Sequence, residues 1–226
     1  MNEIIRTSKK GNLIVISGPS GAGKNTIVNG LLKKNKNIWL SISATTRLPR
    51  GNEKNGIDYF FLSRKEFESK ISKREFLEYA EYNGNYYGTP KSNIIEKLNS
   101  GVDVILEIEI QGALKIKDLI PNAIFIFILP PSMSELIKRL TARKTETKDK
   151  IISRFRIAYK EINEVTKYNY VVINDVVEDA VSKVNSILIS EKCRVDRIEE
   201  VYLGNEEEEI HEILVDKNLE NIDIDI

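Results

Sequence analysis

The apolar run "NLIVIS" (12–17), the loop "GPSGAGKNT" (18–26), and then Ile27, Val28, Leu31 and Leu32 at helical spacing constrain the 226-residue chain more than any other stretch. The first run predicts a short strand and the last a helix, so Gly18, Gly21 and Gly23 must carry the chain through a tight turn between them. A turn of this kind aims successive backbone N–H groups at one point, where the helix N-terminus adds about half a positive charge. Glycines leave room for a phosphate to approach, and Lys24 adds a point charge. We therefore expect Gly18, Pro19, Ser20, Gly21, Ala22, Gly23, Lys24, Asn25 and Thr26 to form a loop that binds nucleotide phosphates. Asn25 stands where a hydroxyl that ligates Mg²⁺ is common. Its carboxamide oxygen is a longer, bulkier hard donor.

The rest of the chain alternates. "WLSIS" (39–43), "DVILEIEI" (103–110), "AIFIFIL" (123–129) and "YVVIN" (170–174) predict strands. "SELIKRLTAR" (134–143), "KIISRFRIAYKEI" (150–162) and "VEDAVSKVNSILI" (177–189) predict helices. Strands alternating with helices imply an α/β fold with a parallel sheet covered on both faces. The unbroken apolar character of "AIFIFIL" suits a central strand. Residues 44–98 break the rhythm with short strands and turns rich in Tyr, Arg and Gly, and predict an inserted α+β lobe. A core is thus expected over 11–43 and 99–195.

Charge divides the chain. Basic and acidic residues balance at 34 each, but residues 196–226 hold 12 acidic and two basic side chains, so residues 1–195 carry a net +10. A basic body suits anionic substrates. One cysteine, Cys193, and one histidine, His211, leave any bound metal to oxygen ligands. No apolar run approaches the ~20 residues needed to cross a bilayer, and the N-terminus has no signal-peptide pattern, so a cytoplasmic protein without membrane contact is expected.

A second group of polar residues lies in the predicted lobe. Arg47 and Arg50, flanking Pro49, offer guanidinium forks for paired phosphate oxygens, and Tyr59 adds a neutral donor. "EFLEYAEYNGNYYGT" contributes Glu78, Tyr86, Tyr87 and Thr89. A single carboxylate among aromatic rings can accept the N–H donors of a guanine edge.

In order along the chain, "GPSGAGK", "SATTRLPRG", "GIDYFF", "FLEYAEYNGNYYGT", "QG", "FILPPS", "RLTAR" and "VVIND" resemble guanylate kinase of the small bacterial type, over residues 10–192. The resemblance implies a P-loop NTPase-type sheet, a GMP-binding lobe over 44–98 and a helical lid over about 134–156. It implies phosphoryl transfer from ATP to GMP, and to dGMP, with Mg²⁺. It assigns Ser43, Arg47, Arg50, Tyr59 and Tyr87 to the GMP phosphate, and Glu78 and Thr89 to guanine. Glu107 and Glu109, expected on one strand face, stand where the family has aspartates, the first near the metal and the second near the guanine amino group. Arg139, Arg143 and Arg154 would spread charge over the transferring group, and Asn174 would meet the adenine. Relatives with glycine at the place of Asn25 hold Mg²⁺ mainly through phosphates and water.

Two other readings share the fold: a catalytically silent interaction module, and a related P-loop kinase with another phosphorylated acceptor. Intact loop glycines with Lys24 weigh against the first, and Glu78 against the second. Nucleic acid is not an expected partner, since no recognition helix or stacking platform is legible. Self-association is left open, and the acidic extension 196–226 is a candidate contact for a partner.

Overall fold

The structure is a computed structural model that describes residues 5–7, 10–82, 84–141 and 148–201. The chain divides into two compact units, Lys9–Leu188 and Met1–Ser8 with Ile189–Ile226. In the smaller unit, β1 (Ile5–Thr7) has an antiparallel partner contributed by the far end of the chain.

In the larger unit, β2 (Leu13–Ser17) leads through the glycine loop into α1 (Lys24–Lys34), followed by β3 (Ile38–Leu40) and by β4 (Ala44–Thr45), which opens the lobe. The lobe continues as β5 (Phe60–Phe61), α2 (Arg64–Ser72), β6 (Phe76–Tyr82) and β7 (Asn85–Pro90). The chain then runs through α3 (Lys91–Asn99), β8 (Asp103–Glu107), α4 (Ile110–Leu119), β9 (Ile124–Leu129), α5 (Met133–Thr141), α6 (Lys148–Ile162), β10 (Tyr170–Ile173) and α7 (Val177–Glu191). After α7, β11 (Ile198–Val201) pairs with β1.

The five-stranded sheet has the order β10-β9-β2-β8-β3, and every pair is parallel. All five residues of β2 are buried because it is the middle strand, and alternation sends them to opposite faces. Ile14 and Ile16 pack with Ile27, Val28 and Leu31 of α1 and with Ala180, Val181 and Val184 of α7. Leu13 and Val15 pack with Ile94 of α3 and with Ala113 and Ile116 of α4. Each fully buried Ile, Leu or Val here contributes about 1.5–3 kcal/mol of transfer free energy, so this double-faced core anchors the loop at the end of β2.

The lobe is a four-stranded sheet of order β5-β4-β7-β6 with its own small core. Phe67 stacks on Phe76 at 4.3 Å and on Tyr86 at 5.2 Å between ring centroids. A capping box fixes where α2 begins: Ser63 Oγ accepts from the Glu66 N–H, and the Glu66 carboxylate accepts from the Ser63 N–H at 2.7 Å.

One expectation is corrected. The strand expected over 103–110 ends at Glu107, and Glu109 is the N-cap of α4 rather than a strand residue. The backbone stays extended through Glu109, at φ −68° and ψ 156°, before the helix begins. Apolar Ile108 and Ile110 prolong the strand pattern in the sequence, but Ile108 lies in the connection after β8, where its N–H still donates to the Ile16 oxygen at 3.3 Å, and Ile110 opens α4. Arg143 and Lys144 of the expected lid, and the tail beyond residue 201, lie outside the described residues. Among the described residues, no helix is long and apolar enough to cross a membrane.

Candidate active site

The loop between β2 and α1 has the conformation its glycines require. Gly23, at φ 89°, is the N-cap of α1 in a left-handed conformation, and a Cβ there would lie 2.2 Å from Asn174 Nδ2. A Cβ at Gly18 would lie 2.2 Å from the Ile128 carbonyl oxygen on neighbouring β9. No side chain caps α1 and its first turn has no acidic residue, so its leading N–H groups remain available to an anion. Lys24 Nζ donates to the Gly18 oxygen at 2.6 Å and to the Pro19 oxygen at 3.3 Å, which folds the ammonium over the loop.

Side chains from three other elements converge on this loop. Asn174, just beyond β10, is 2% exposed, and its Nδ2 donates to the Ala22 oxygen at 2.8 Å. Its Oδ1 is buried with no partner. Arg139 of α5 donates to the Asn174 backbone oxygen at 3.1 Å and to Glu135 Oε1 at 3.1 Å. Arg154 of α6 donates to Ser20 Oγ. Asn25 and Thr26 are exposed at the start of α1.

An acidic group faces the lysine. Burial pushes the Glu107 carboxyl above the usual carboxylate range, with Lys24 opposing and Glu109 adding to the rise. Glu161 of α6 is pushed up to about 7 by burial, then by Glu109, against the pull of Lys24. Among the described residues, no group of three or more His, Cys, Asp or Glu side chains is arranged to hold a metal ion by itself.

The lobe brings a second set together. Arg47 Nη1 and Nη2 donate to the two Glu53 carboxylate oxygens at 2.9 and 3.0 Å, and Nη1 also donates to the Leu48 oxygen at 2.7 Å. The guanidinium lies 5.3 Å from the Tyr59 ring centroid and 5.8 Å from that of Phe61. Tyr59 and Tyr87 meet edge to face at 6.3 Å. Burial raises the Tyr59 hydroxyl, and Tyr87, Glu107 and Glu109 add to the rise while Arg47 opposes it. Tyr59 therefore sits within electrostatic reach of Glu107 and Glu109.

Glu78 on β6 is 8% exposed and accepts from Thr89 Oγ1 on β7 at 2.7 Å. Burial raises its carboxyl, with Thr89 and then Lys115 opposing. Gly112 of α4 leaves the space this carboxylate fills, because a Cβ there would lie 2.9 Å from Glu78 Oε2. Arg50 is exposed and engages Glu53 through its backbone N–H at 2.7 Å, and the Ser43 backbone oxygen accepts from the Phe60 N–H at 2.9 Å.

Three participants lay outside the sequence reading. Glu53 had a legible signal, a carboxylate three residues after Arg50 within the same glycine-bearing turn. Gly112 is the glycine of the quoted "QG", whose contact with Glu78 no local pattern announces. Glu161 had no signal at all, since α6 shows it only as one more polar helix position.

A glycine loop between the middle strand of a parallel sheet and the helix that follows defines an α/β P-loop nucleotide-binding protein. Residues 10–191 match the model of the family described as guanylate kinase. Guanylate kinase of Clostridium acetobutylicum is 59% identical over 209 residues, covering 92% of this chain and all of that protein. The Clostridium tetani guanylate kinase is 58% identical over 208 residues, again 92% of this chain and all of that protein. Among solved structures, guanylate kinase from Anaplasma phagocytophilum superposes with a TM-score of 0.72 at 33% identity, over 94% of this chain and 97% of that one. The chain belongs to the guanylate kinase family.

Proposed function

We propose that the chain transfers the γ-phosphoryl group of ATP to GMP, yielding ADP and GDP, and accepts dGMP as well. The observation that carries this reading is the presence, in one compact unit, of the P-loop with Lys24 and of a second cluster in which an arginine fork accompanies a buried carboxylate. A guanine edge offers N–H donors to Glu78, whereas an adenine ring nitrogen in the same place would present a lone pair to a carboxylate.

In this reading the loop Gly18–Thr26 cradles the ATP phosphates, and Lys24 leaves its loop carbonyls to follow the transferred group. Arg139, Arg143 and Arg154 spread positive charge over it, and Asn174 presents its unpartnered Oδ1 to the adenine amino group. Ser43, Arg47, Arg50, Tyr59 and Tyr87 hold the GMP phosphate. Glu78 and Thr89 read guanine, with Glu109 near its amino group. Mg²⁺ bound with ATP supplies charge neutralisation between the phosphates, and Asn25 and Glu107 offer oxygens towards it. In-line transfer needs alignment and charge stabilisation, and no general base, because the attacking GMP oxygen is already ionised.

The test is coupled ADP production by the purified chain with ATP and Mg²⁺, comparing GMP, dGMP, AMP, CMP, UMP and no acceptor. Turnover confined to the guanine nucleotides is the expected result. A folded protein that binds GMP without turnover would instead be a silent binding module.

A further inference from the structure

We infer that Glu53 is a positioning residue for the acceptor phosphate: its carboxylate grips the end-on edge of the Arg47 guanidinium and ties it to the Arg50 turn, so that the Nε side is turned to the ligand. The inference rests on the GMP reading and concerns a residue to which that reading gives no role.

Both Glu53 oxygens are used. Oε2 accepts from Arg47 Nη1 at 2.9 Å and Oε1 from Nη2 at 3.0 Å, while Oε2 also takes the Arg50 backbone N–H at 2.7 Å. The Glu53 N–H in turn donates to the Arg50 oxygen at 3.0 Å, which closes the turn. With the Leu48 oxygen on Nη1, the end-on edge of the guanidinium is committed, and its remaining donors lie on the Nε side. A two-point pair fixes orientation as well as distance, which a single contact cannot do. Tyr59 and Phe61 flank the plane, and Tyr87 hydrogen-bonds to the same guanidinium. Arg47 is thereby ordered before a ligand arrives, so less side-chain freedom is lost on binding. The pairing perturbs both partners: the Arg47 hydrogen bond holds the Glu53 carboxyl below its usual range, and Glu53 raises the Arg47 guanidinium.

A carboxylate beside a phosphate-binding arginine could also act as a competitor that the phosphate must displace. The two roles predict opposite signs. Positioning makes loss of the carboxylate weaken GMP, whereas competition makes its loss tighten GMP.

The experiment uses the full chain with Glu53→Gln and Glu53→Ala, titrated with GMP and with guanosine, alongside KM for ATP and thermal midpoints. Wild-type turnover with GMP is established first, so failure of the parent reading shows before any variant is made. We expect Glu53→Ala to weaken GMP roughly tenfold, the scale of one misplaced charge-assisted hydrogen bond, with Glu53→Gln intermediate because its amide keeps one acceptor. Guanosine binding and KM for ATP should stay within about twofold of wild type, since only the phosphate contact is touched. Glu53→Gln covers the case in which the alanine variant fails to fold. Unchanged or tighter GMP binding in Glu53→Gln overturns the inference, and so does equal weakening of guanosine and GMP, which marks general damage to the lobe.

Discussion

At the scale of single residues, the site combines groups whose roles follow from local chemistry with others whose roles follow only from what they touch. Lys24 is of the first kind, because its place after three glycines fixes its chemistry. Lys24→Ala should lower kcat by about 10²–10³-fold, the range for removing one donor to developing charge, with the thermal midpoint little changed. Nζ hydrogen-bonds only two loop carbonyls, and steady-state rates with circular-dichroism melts check both halves of the expectation. Gly112 is of the second kind. Alanine there would crowd the Glu78 carboxylate, which Thr89 already holds in place. KM for GMP should rise several-fold while KM for ATP stays constant; an unchanged GMP requirement would mean that Glu78 yields without consequence.

At the scale of elements, the loop depends on the end of β10, a strand on the sheet's edge and remote from the loop in sequence. Asn174 meets the Ala22 carbonyl and leaves no room for a side chain at Gly23, so α1 begins where β10 ends. Asn174→Ala removes the buried partner of that carbonyl and should destabilise the protein by about 1–2 kcal/mol, read from urea unfolding midpoints. It should also raise KM for ATP. Elements were legible where periodicity was undisturbed, as in β2, β9 and α7. Apolar pattern misleads where it continues past a change of structure, as at Ile108 and Ile110, because it does not distinguish the end of a strand from the first turn of a helix.

At the scale of the whole molecule, packing sets electrostatic properties that no segment has alone. Glu161 sits at about 7, above its ordinary 4.5, because α6 buries it near Glu109. On raising the pH, the unfolded chain releases this proton first, so Glu161 makes stability fall between about pH 4.5 and 7 and level off above. Glu161→Gln should therefore melt several degrees higher than wild type at pH 8, and show a smaller gain at pH 5. Thermal scans at the two pH values test it, and equal shifts at both would assign the gain to packing instead of charge.

The strand, glycine loop and helix, the parallel α/β alternation and the inserted lobe are written locally in the amino-acid order, because backbone sterics and the period of apolar residues act over neighbouring positions. That order also made Lys24, Arg47, Glu78 and Thr89 legible as candidate site residues. Folding adds that Arg47 is gripped by Glu53, that Glu78 fills the space beside Gly112, that Glu161 lies near Lys24, and that β1 pairs with β11. Those facts depend on which surfaces meet. A residue's own pattern tells which way it faces, and only the folded chain supplies what stands opposite.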